Sequence, residues 1–268
     1  MAQLATTIFI LILLTSLAAW AMVIERLTTG QSLVSRRVPV VRPRPLIAIL
    51  LTAAWILFSL SSHLLPDRET PNPGQFNGRQ ALFVLAFNLL VQVTTTCVLL
   101  ICLTELGNKR LTRFGIDGRK LGEDMGTGLM GYFATVIPVL LVNIAMSSLR
   151  NDDNQHLFLQ ILRSDQSVPL VGLMVGSAVI MAPLEEELMY RVILQGTLQR
   201  YLSPAASIMI SSVIFAGVHG LPDALGLFPL ALILGFLYWR TGSYLSIITT
   251  HAMFNGMTIF LTILRPQG

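Results

Sequence analysis

The sequence predicts an all-α, polytopic integral membrane protein, a helical bundle of about eight transmembrane helices. Of its 268 residues, 53% are hydrophobic and only 12% are charged, whereas a soluble globular domain carries about 25% charged residues. The mean hydropathy of +0.69 agrees with this composition. The chain therefore has too few charged side chains to cover the surface of a soluble protein of this length.

Apolar runs with short polar segments between them define the helices. Each run approaches the ~20 apolar residues that a membrane helix needs, and none contains Asp, Glu, Lys or Arg. The first run is interpreted as a retained helix and not as a signal peptide, because its first basic residue, Arg26, follows the apolar core. The runs are residues 1–24, 46–62, 81–104, 125–149, 166–184, 201–218, 224–239 and 241–264.

The basic residues predict the orientation of the bundle. Residues 25–45 and 105–124 hold five Lys or Arg each, and the alternate connections hold fewer. With the N terminus outside, 13 of the 18 basic residues lie on one side and 5 on the other. The positive-inside rule then makes 25–45 and 105–124 cytoplasmic and the loop 66–80 external. Nucleic acid is not an expected partner, because no basic patch is interleaved with aromatic residues.

An acidic triplet is the first of three polar constellations in the last hundred residues, where ionisable groups inside a membrane point to function. Glu185, Glu186 and Glu187 directly follow the run 166–184. Glu187 and Arg191 are four residues apart with the acid first, the favourable order for a helical ion pair. That pairing leaves Glu186 on a neighbouring face for chemistry. The alternative is an acidic cluster at a helix end in the membrane interface.

Histidines mark the other two constellations. Phe215 and His219 are i,i+4 at the end of one apolar run, and His251 and Asn255 are i,i+4 inside another. The alternatives are an interfacial histidine for His219 and interhelical hydrogen bonding for His251 and Asn255. Taken together, however, these groups are what water activation requires. A carboxylate takes a proton, an imidazole shuttles or donates one, and an amide N–H holds an oxyanion.

The same groups could also bind a metal ion. One carboxylate and two imidazoles bind zinc with one position left open, so Glu186, His219 and His251 form a candidate ligand set. They equally suit a metal-free mechanism in which a glutamate activates the water. The cofactor is therefore either a divalent metal such as zinc or none, and the metal-free mechanism is preferred.

The order Glu-Glu-x-x-x-Arg, Phe-x-x-x-His, His-x-x-x-Asn resembles the CAAX protease and bacteriocin-processing family, the type II CAAX prenyl endopeptidases and their prokaryotic relatives. The resemblance covers about residues 165–260 and includes Ala182-Pro183 before the acids and Arg240-Thr241-Gly242-Ser243 before the last motif. The chain departs from the family pattern at Tyr190 and Val192, where Phe and Gly are usual. The matching positions are Glu186, Glu187, Arg191, Phe215, His219, His251 and Asn255.

This resemblance implies a membrane-embedded endopeptidase in a prokaryotic cytoplasmic membrane. Residues 1–160 would form N-terminal transmembrane helices, and residues 161–268 the catalytic region. Glu186 would be the general base. His219 would assist it by positioning the water or sharing a metal. His251 and Asn255 would stabilise the oxyanion or complete the polar site. The ion pair of Glu187 would fix the helix, with Phe215 as support, unless Glu187 contributes directly.

The substrate and two other functional classes stay open. A prenylated C-terminal peptide, a bacteriocin leader and a membrane-protein segment all fit a site at the bilayer. A transporter or proton relay would also place carboxylates and histidines in a membrane, although the sequence shows no matched halves. A non-catalytic membrane chaperone or immunity protein is the second alternative. For the acids to meet His219, we expect the helix to break at Pro183.

Overall fold

The structure is a computed structural model that describes residues 2–34, 51–55, 78–106, 110–149, 161–162 and 165–264. Within these residues the chain is helical and contains no strand, and six helices are long and apolar enough to cross a membrane. The all-α membrane bundle is therefore confirmed. The helices are α1 (Ala2–Thr28), α2 (Gly78–Leu106), α3 (Leu121–Ala145), α4 (Val168–Leu198), α5 (Pro204–Gly217), α6 (Asp223–Thr241) and α7 (Tyr244–Leu264).

Seven of the eight predicted runs correspond to these helices. The eighth run, 46–62, lies mostly outside the described residues. Only residues 51–55 of this run are described, and they are helical. Helix α5 has 14 residues and a length of about 21 Å at 1.5 Å per residue, which is short of the ~30 Å hydrocarbon core. Ser203 caps its first turn, because the Ser203 side chain accepts a hydrogen bond from the Ala206 N–H.

Helix α4 is longer than predicted and is not regular. It continues through the three acids to Leu198. Two wide π-helical stretches, Val175–Met181 and Leu188–Gln195, flank the α-helical segment Ala182–Glu187. The break predicted at Pro183 is therefore wrong. Proline removes a backbone N–H and crowds the preceding turn, and the wide turn before it absorbs both effects without ending the helix.

Helix α7 packs against α3, α4 and α6, and small residues bring α3 close to it. A Cβ atom on Gly131 would meet the side chains of Leu237 and Thr250. The Thr250 hydroxyl donates to the Gly128 carbonyl oxygen at 2.8 Å. Close contacts of small residues and hydroxyl groups are typical of helix packing in membranes. They hold the last helix, which carries His251, against the middle of the bundle.

Buried apolar side chains form two clusters, and the apolar faces that remain point outwards. The larger cluster surrounds Phe215 and Leu188 at the centre of the bundle. The smaller one joins α2 to the first turns of α4, around Leu85 and Met174. Large side chains on α1 and α2, such as Leu14, are exposed. These outer faces suit contact with lipid.

The segments that predict orientation are described only in part. Residues 25–45 are described to residue 34, and the loop 66–80 from residue 78. In the basic segment 105–124, Arg119 lies 2.6 Å from Asp117 and lowers the pKa of that carboxyl below its ordinary value through their hydrogen bonds. The outside location of the N terminus stays a prediction.

Candidate active site

Glu187 links two helices through its two carboxylate oxygens. Its Oε2 lies 3.1 Å from Nε of Arg191, which is the predicted i,i+4 ion pair. Its Oε1 lies 2.8 Å from Nδ1 of His251 on α7. Both side chains of the ion pair are 0% exposed. Because Glu187 is fully enclosed and bonded on both oxygens, it is placed to orient its neighbours.

His251 is held by this contact in one orientation. A carboxylate only accepts hydrogen bonds, so Nδ1 of His251 is protonated and donates its N–H to Glu187. The other ring nitrogen, Nε2, faces Glu186, whose Oε2 lies 3.8 Å away. The arrangement has the same logic as a carboxylate–histidine pair in a hydrolase, in which the buried acid fixes the tautomer of the imidazole.

Glu186 is the accessible acid of the triplet. Its side chain is 20% exposed, whereas Glu185 and Glu187 are buried. The 3.8 Å separation from His251 is too long for a direct hydrogen bond and suits one bridging water. Glu186 and His251 therefore present two proton-accepting atoms to a common position.

Phe215 contacts the remaining polar groups of the three constellations. Its ring centroid is 4.9 Å from that of His219 and 5.8 Å from that of His251. The guanidinium carbon of Arg191 lies 5.0 Å from the same centroid, within the range of a cation–π contact. Phe215 is fully buried. One aromatic ring thus joins all three predicted constellations, although His219 and Glu186 make no direct contact among the described residues.

Among the described residues, one ring nitrogen of His219 is hydrogen-bonded. Its Nδ1 lies 2.8 Å from the Phe215 carbonyl oxygen, and a carbonyl only accepts, so this nitrogen carries the proton. In the tautomer with this single proton, Nε2 is a hydrogen-bond acceptor. Asn255 is committed in a similar way, because its Nδ2 donates to the Ala178 carbonyl oxygen at 2.8 Å. One of its two N–H bonds is thereby used within the protein.

Several site contacts were missed by the sequence analysis. Tyr190 replaces the usual Phe, and its hydroxyl oxygen accepts a hydrogen bond from Nε1 of Trp55 at 3.0 Å. Tyr244 donates its hydroxyl to the Leu184 carbonyl oxygen, just before the acids. Glu185 lies beside the hydroxyl of Thr95 on α2. No local spacing indicates these pairs, because each joins segments that are far apart in the sequence.

The candidate metal ligands do not converge in this conformation. Among the residues that the structure describes, no three His, Cys, Asp or Glu side chains are grouped closely enough to hold a metal. Glu186 and His251 are neighbours, whereas His219 contacts the Phe215 ring. The zinc set Glu186, His219 and His251 stays a prediction.

Comparison with known proteins agrees with the motif analysis. Residues 168–257 match the family model described as type II CAAX prenyl endopeptidase Rce1-like. No curated protein and no solved structure matches the chain. The matched region contains all seven motif positions, from Glu186 to Asn255, and begins with α4. The resemblance predicted from the motifs is confirmed over residues 168–257, which are similar to the Rce1-like type II CAAX prenyl endopeptidases, a family of membrane proteases.

Proposed function

We propose that this protein is an intramembrane endopeptidase that hydrolyses a peptide bond with a water molecule activated by Glu186. The observation that carries the proposal is the pairing of an accessible carboxylate, Glu186, with an imidazole that Glu187 holds in place. The facing atoms, Oε2 of Glu186 and Nε2 of His251, are 3.8 Å apart. A water between them would be within hydrogen-bond reach of both, as a general base requires.

The reaction follows from these groups. Glu186 removes a proton from the water, and the water oxygen attacks the carbonyl carbon of the scissile bond. His251, oriented by Glu187, accepts the other hydrogen of the water at its Nε2 and so holds the water for attack. The C–N bond then breaks, and the departing amine takes the proton that Glu186 received. His219 contacts the Phe215 ring and assists by accepting a hydrogen bond from a water molecule at its Nε2.

The substrate class follows from the family and from the position of the site. We propose a peptide or protein at the membrane surface, lipidated or otherwise anchored, which reaches Glu186 from the bilayer. The mechanism needs no metal. Activity of the purified protein should therefore survive prolonged dialysis against a chelator. Loss of activity that is restored by zinc would show that Glu186, His219 and His251 bind a metal in a conformation with substrate.

A glutamine at position 186 tests the proposed base. Glu186→Gln keeps the shape and removes the basic oxygen, so we expect hydrolysis of a membrane-anchored peptide to fall by at least ~10²-fold. Expression and melting temperature should match the parent. Near-parental turnover would place the base elsewhere, with Glu187 as the next candidate. Proteomics of cells that carry Glu186→Gln should show accumulated precursors, and these would identify the substrate.

The orientation of the site in the cell is a separate proposal. We infer an outside N terminus from the 18 basic residues and the positive-inside rule. A cysteine at Asn72 should react with a membrane-impermeant reagent applied to whole cells, and a cysteine at Thr112 should react only after lysis. The opposite labelling pattern would mean that the bundle has the opposite orientation, with the loops that hold most basic residues outside.

A further inference from the structure

A groove of about 300 Å³ lies between α1, α3 and α6, and the described residues that line it include none of those placed in the candidate active site. Its walls are mostly apolar, as at Val23 of α1. The polar groups on the walls are bonded within the protein. Nε1 of Trp20 donates to the Ala134 carbonyl oxygen at 3.1 Å, and the Thr127 hydroxyl donates to a backbone carbonyl one turn earlier in α3. The walls therefore favour a hydrocarbon group.

Two arginines meet the backbone at one end of this groove. Arg26, in the last turn of α1, lines the groove, and its Nη1 donates to the carbonyl oxygens of Ser32 and Leu33 at 3.3 and 3.2 Å. Arg240, in the last turn of α6, donates from Nη2 to the Val34 carbonyl oxygen at 3.1 Å. Leu33 and Val34 also line the groove. The two guanidinium groups thus bind adjacent peptide groups at the same end.

No carboxylate neutralises these two charges among the described residues, where the hydrogen-bond partners of both guanidinium groups are backbone carbonyl oxygens. Nε of Arg240 is buried and has no partner in that part of the chain. The sequence 35–50 that follows the segment adds four arginines and no acid. Because Arg26 and Arg240 end membrane helices, they lie at the level of the lipid head groups, where unpaired cations attract anionic lipids.

We propose that this groove binds an anionic phospholipid, with its phosphate on Arg26 and Arg240 and one acyl chain between α1, α3 and α6. Guanidinium groups donate charge-assisted hydrogen bonds to phosphate oxygens, and the chain covers the apolar walls. A zwitterionic lipid would fill the groove but bring its own positive charge to the arginines. Free phosphate would pair with the arginines but leave the walls uncovered. The inference concerns a second site and does not depend on the proposed peptidase activity.

Native mass spectrometry of the purified full-length protein tests the charge requirement. The protein is titrated with phosphatidylglycerol or with phosphatidylcholine that has the same acyl chains, and the bound lipid is counted. Arg26→Gln removes one charge and keeps a donor for the backbone. It should lower the affinity for phosphatidylglycerol by about fivefold, the effect of one basic residue near an anionic surface. The control Arg113→Gln removes an exposed arginine that does not line the groove, and should bind this lipid like the parent.

A larger side chain in the groove tests the place of the acyl chain. Ala134→Phe should abolish the binding of phosphatidylglycerol and the rise in melting temperature that the lipid causes. The control Ala86→Phe adds the same ring on an exposed part of α2 and should keep both effects. If Ala134→Phe does not fold, Val23→Phe fills the same groove from α1 and should give the same loss.

Four results would overturn the inference. Equal affinities for the two lipids would show that the arginines do not select an anion, and an equal loss in Arg113→Gln would show general charge attraction. An equal rise in melting temperature with glycerol phosphate would indicate a phosphate site without a lipid chain. Displacement of phosphatidylglycerol by a farnesylated peptide would make the groove part of a substrate site. Glu186→Gln should bind phosphatidylglycerol like the parent, so failure of the peptidase proposal leaves this test intact.

Discussion

Neutralising Glu187 should destabilise the fold far more than neutralising Glu186, although the two residues are adjacent. Glu187 is 0% exposed, and both of its oxygens are bonded, to Arg191 and His251. Glu187→Gln would leave the guanidinium of Arg191 without its anion in the membrane interior. Breaking a buried ion pair in this way typically costs ~3–5 kcal/mol. Glu186 is 20% exposed and lies 3.8 Å from Nε2 of His251, so its neutralisation should cost less than ~1 kcal/mol.

The assay compares the melting temperature and the folded fraction of both variants in one detergent. Glu187→Gln should melt at a temperature well below that of the parent, whereas Glu186→Gln should melt at the same temperature as the parent. The double variant Glu187→Gln/Arg191→Met removes the charge on both sides of the pair. It should recover most of the lost stability, because replacing a buried ion pair by neutral or apolar groups is often neutral. Recovered stability without recovered turnover would separate the architectural role of the pair from catalysis.

Equal destabilisation by Glu186→Gln and Glu187→Gln would refute this reasoning. It would mean that Glu186 is also paired in the folded protein, or that Glu187 is not ionised there. A double variant no more stable than Glu187→Gln alone would refute the ion-pair explanation specifically. The loss would then be attributed to the hydrogen bond between Glu187 and His251.

Two further predictions use matched residues. Tyr244→Phe removes the hydroxyl that binds the Leu184 carbonyl and should lower the stability by about 1 kcal/mol as well as the turnover of an anchored peptide. The control Tyr238→Phe loses a similar hydrogen bond to the Phe114 carbonyl at 3.0 Å and should lower stability alone. Equal turnover losses in the two variants would contradict the role given to Tyr244. Gly115 has φ of +79°, and a Cβ there would overlap the carbonyl of Gly242. Gly115→Ala should therefore lower the stability by several kcal/mol, as measured by thermal melting. The control Gly118→Ala should be nearly neutral, because a Cβ at Gly118 meets nothing within 4 Å.

Local periodicity predicted what lies within one helix. The ion pair between Glu187 and Arg191 follows from their four-residue spacing, which places them on one face. The tilted ring contact between Phe215 and His219 follows from the same spacing. In both cases the two side chains belong to one continuous turn, so their proximity depends on few other parts of the fold. The apolar runs predicted the helices for the same reason, since each run must span the bilayer alone.

Contacts between helices could not be predicted in the same way. Glu187 and His251 are separated by 64 residues, and Trp55 and Tyr190 by 135. Nothing in either local sequence specifies the partner, because the contacts depend on how α4 and α7 are rotated about their axes. The wide turns of α4 were missed as well. Residue propensities do not encode an extra residue in a turn, so the proline pointed to a break where the helix in fact widens.

The wide turns also affect how this chain is compared with its relatives. A π-helical turn contains one residue more than the α-helical turn that it replaces. Loss of one residue between Val175 and Met181 would let the helix become regular, and would rotate everything after it by about 100° relative to Val168. Glu186 would then no longer face His251, although the composition of the helix would hardly change. A one-residue gap inside this transmembrane segment of an alignment would therefore carry structural information, although insertions and deletions are usually expected only in loops.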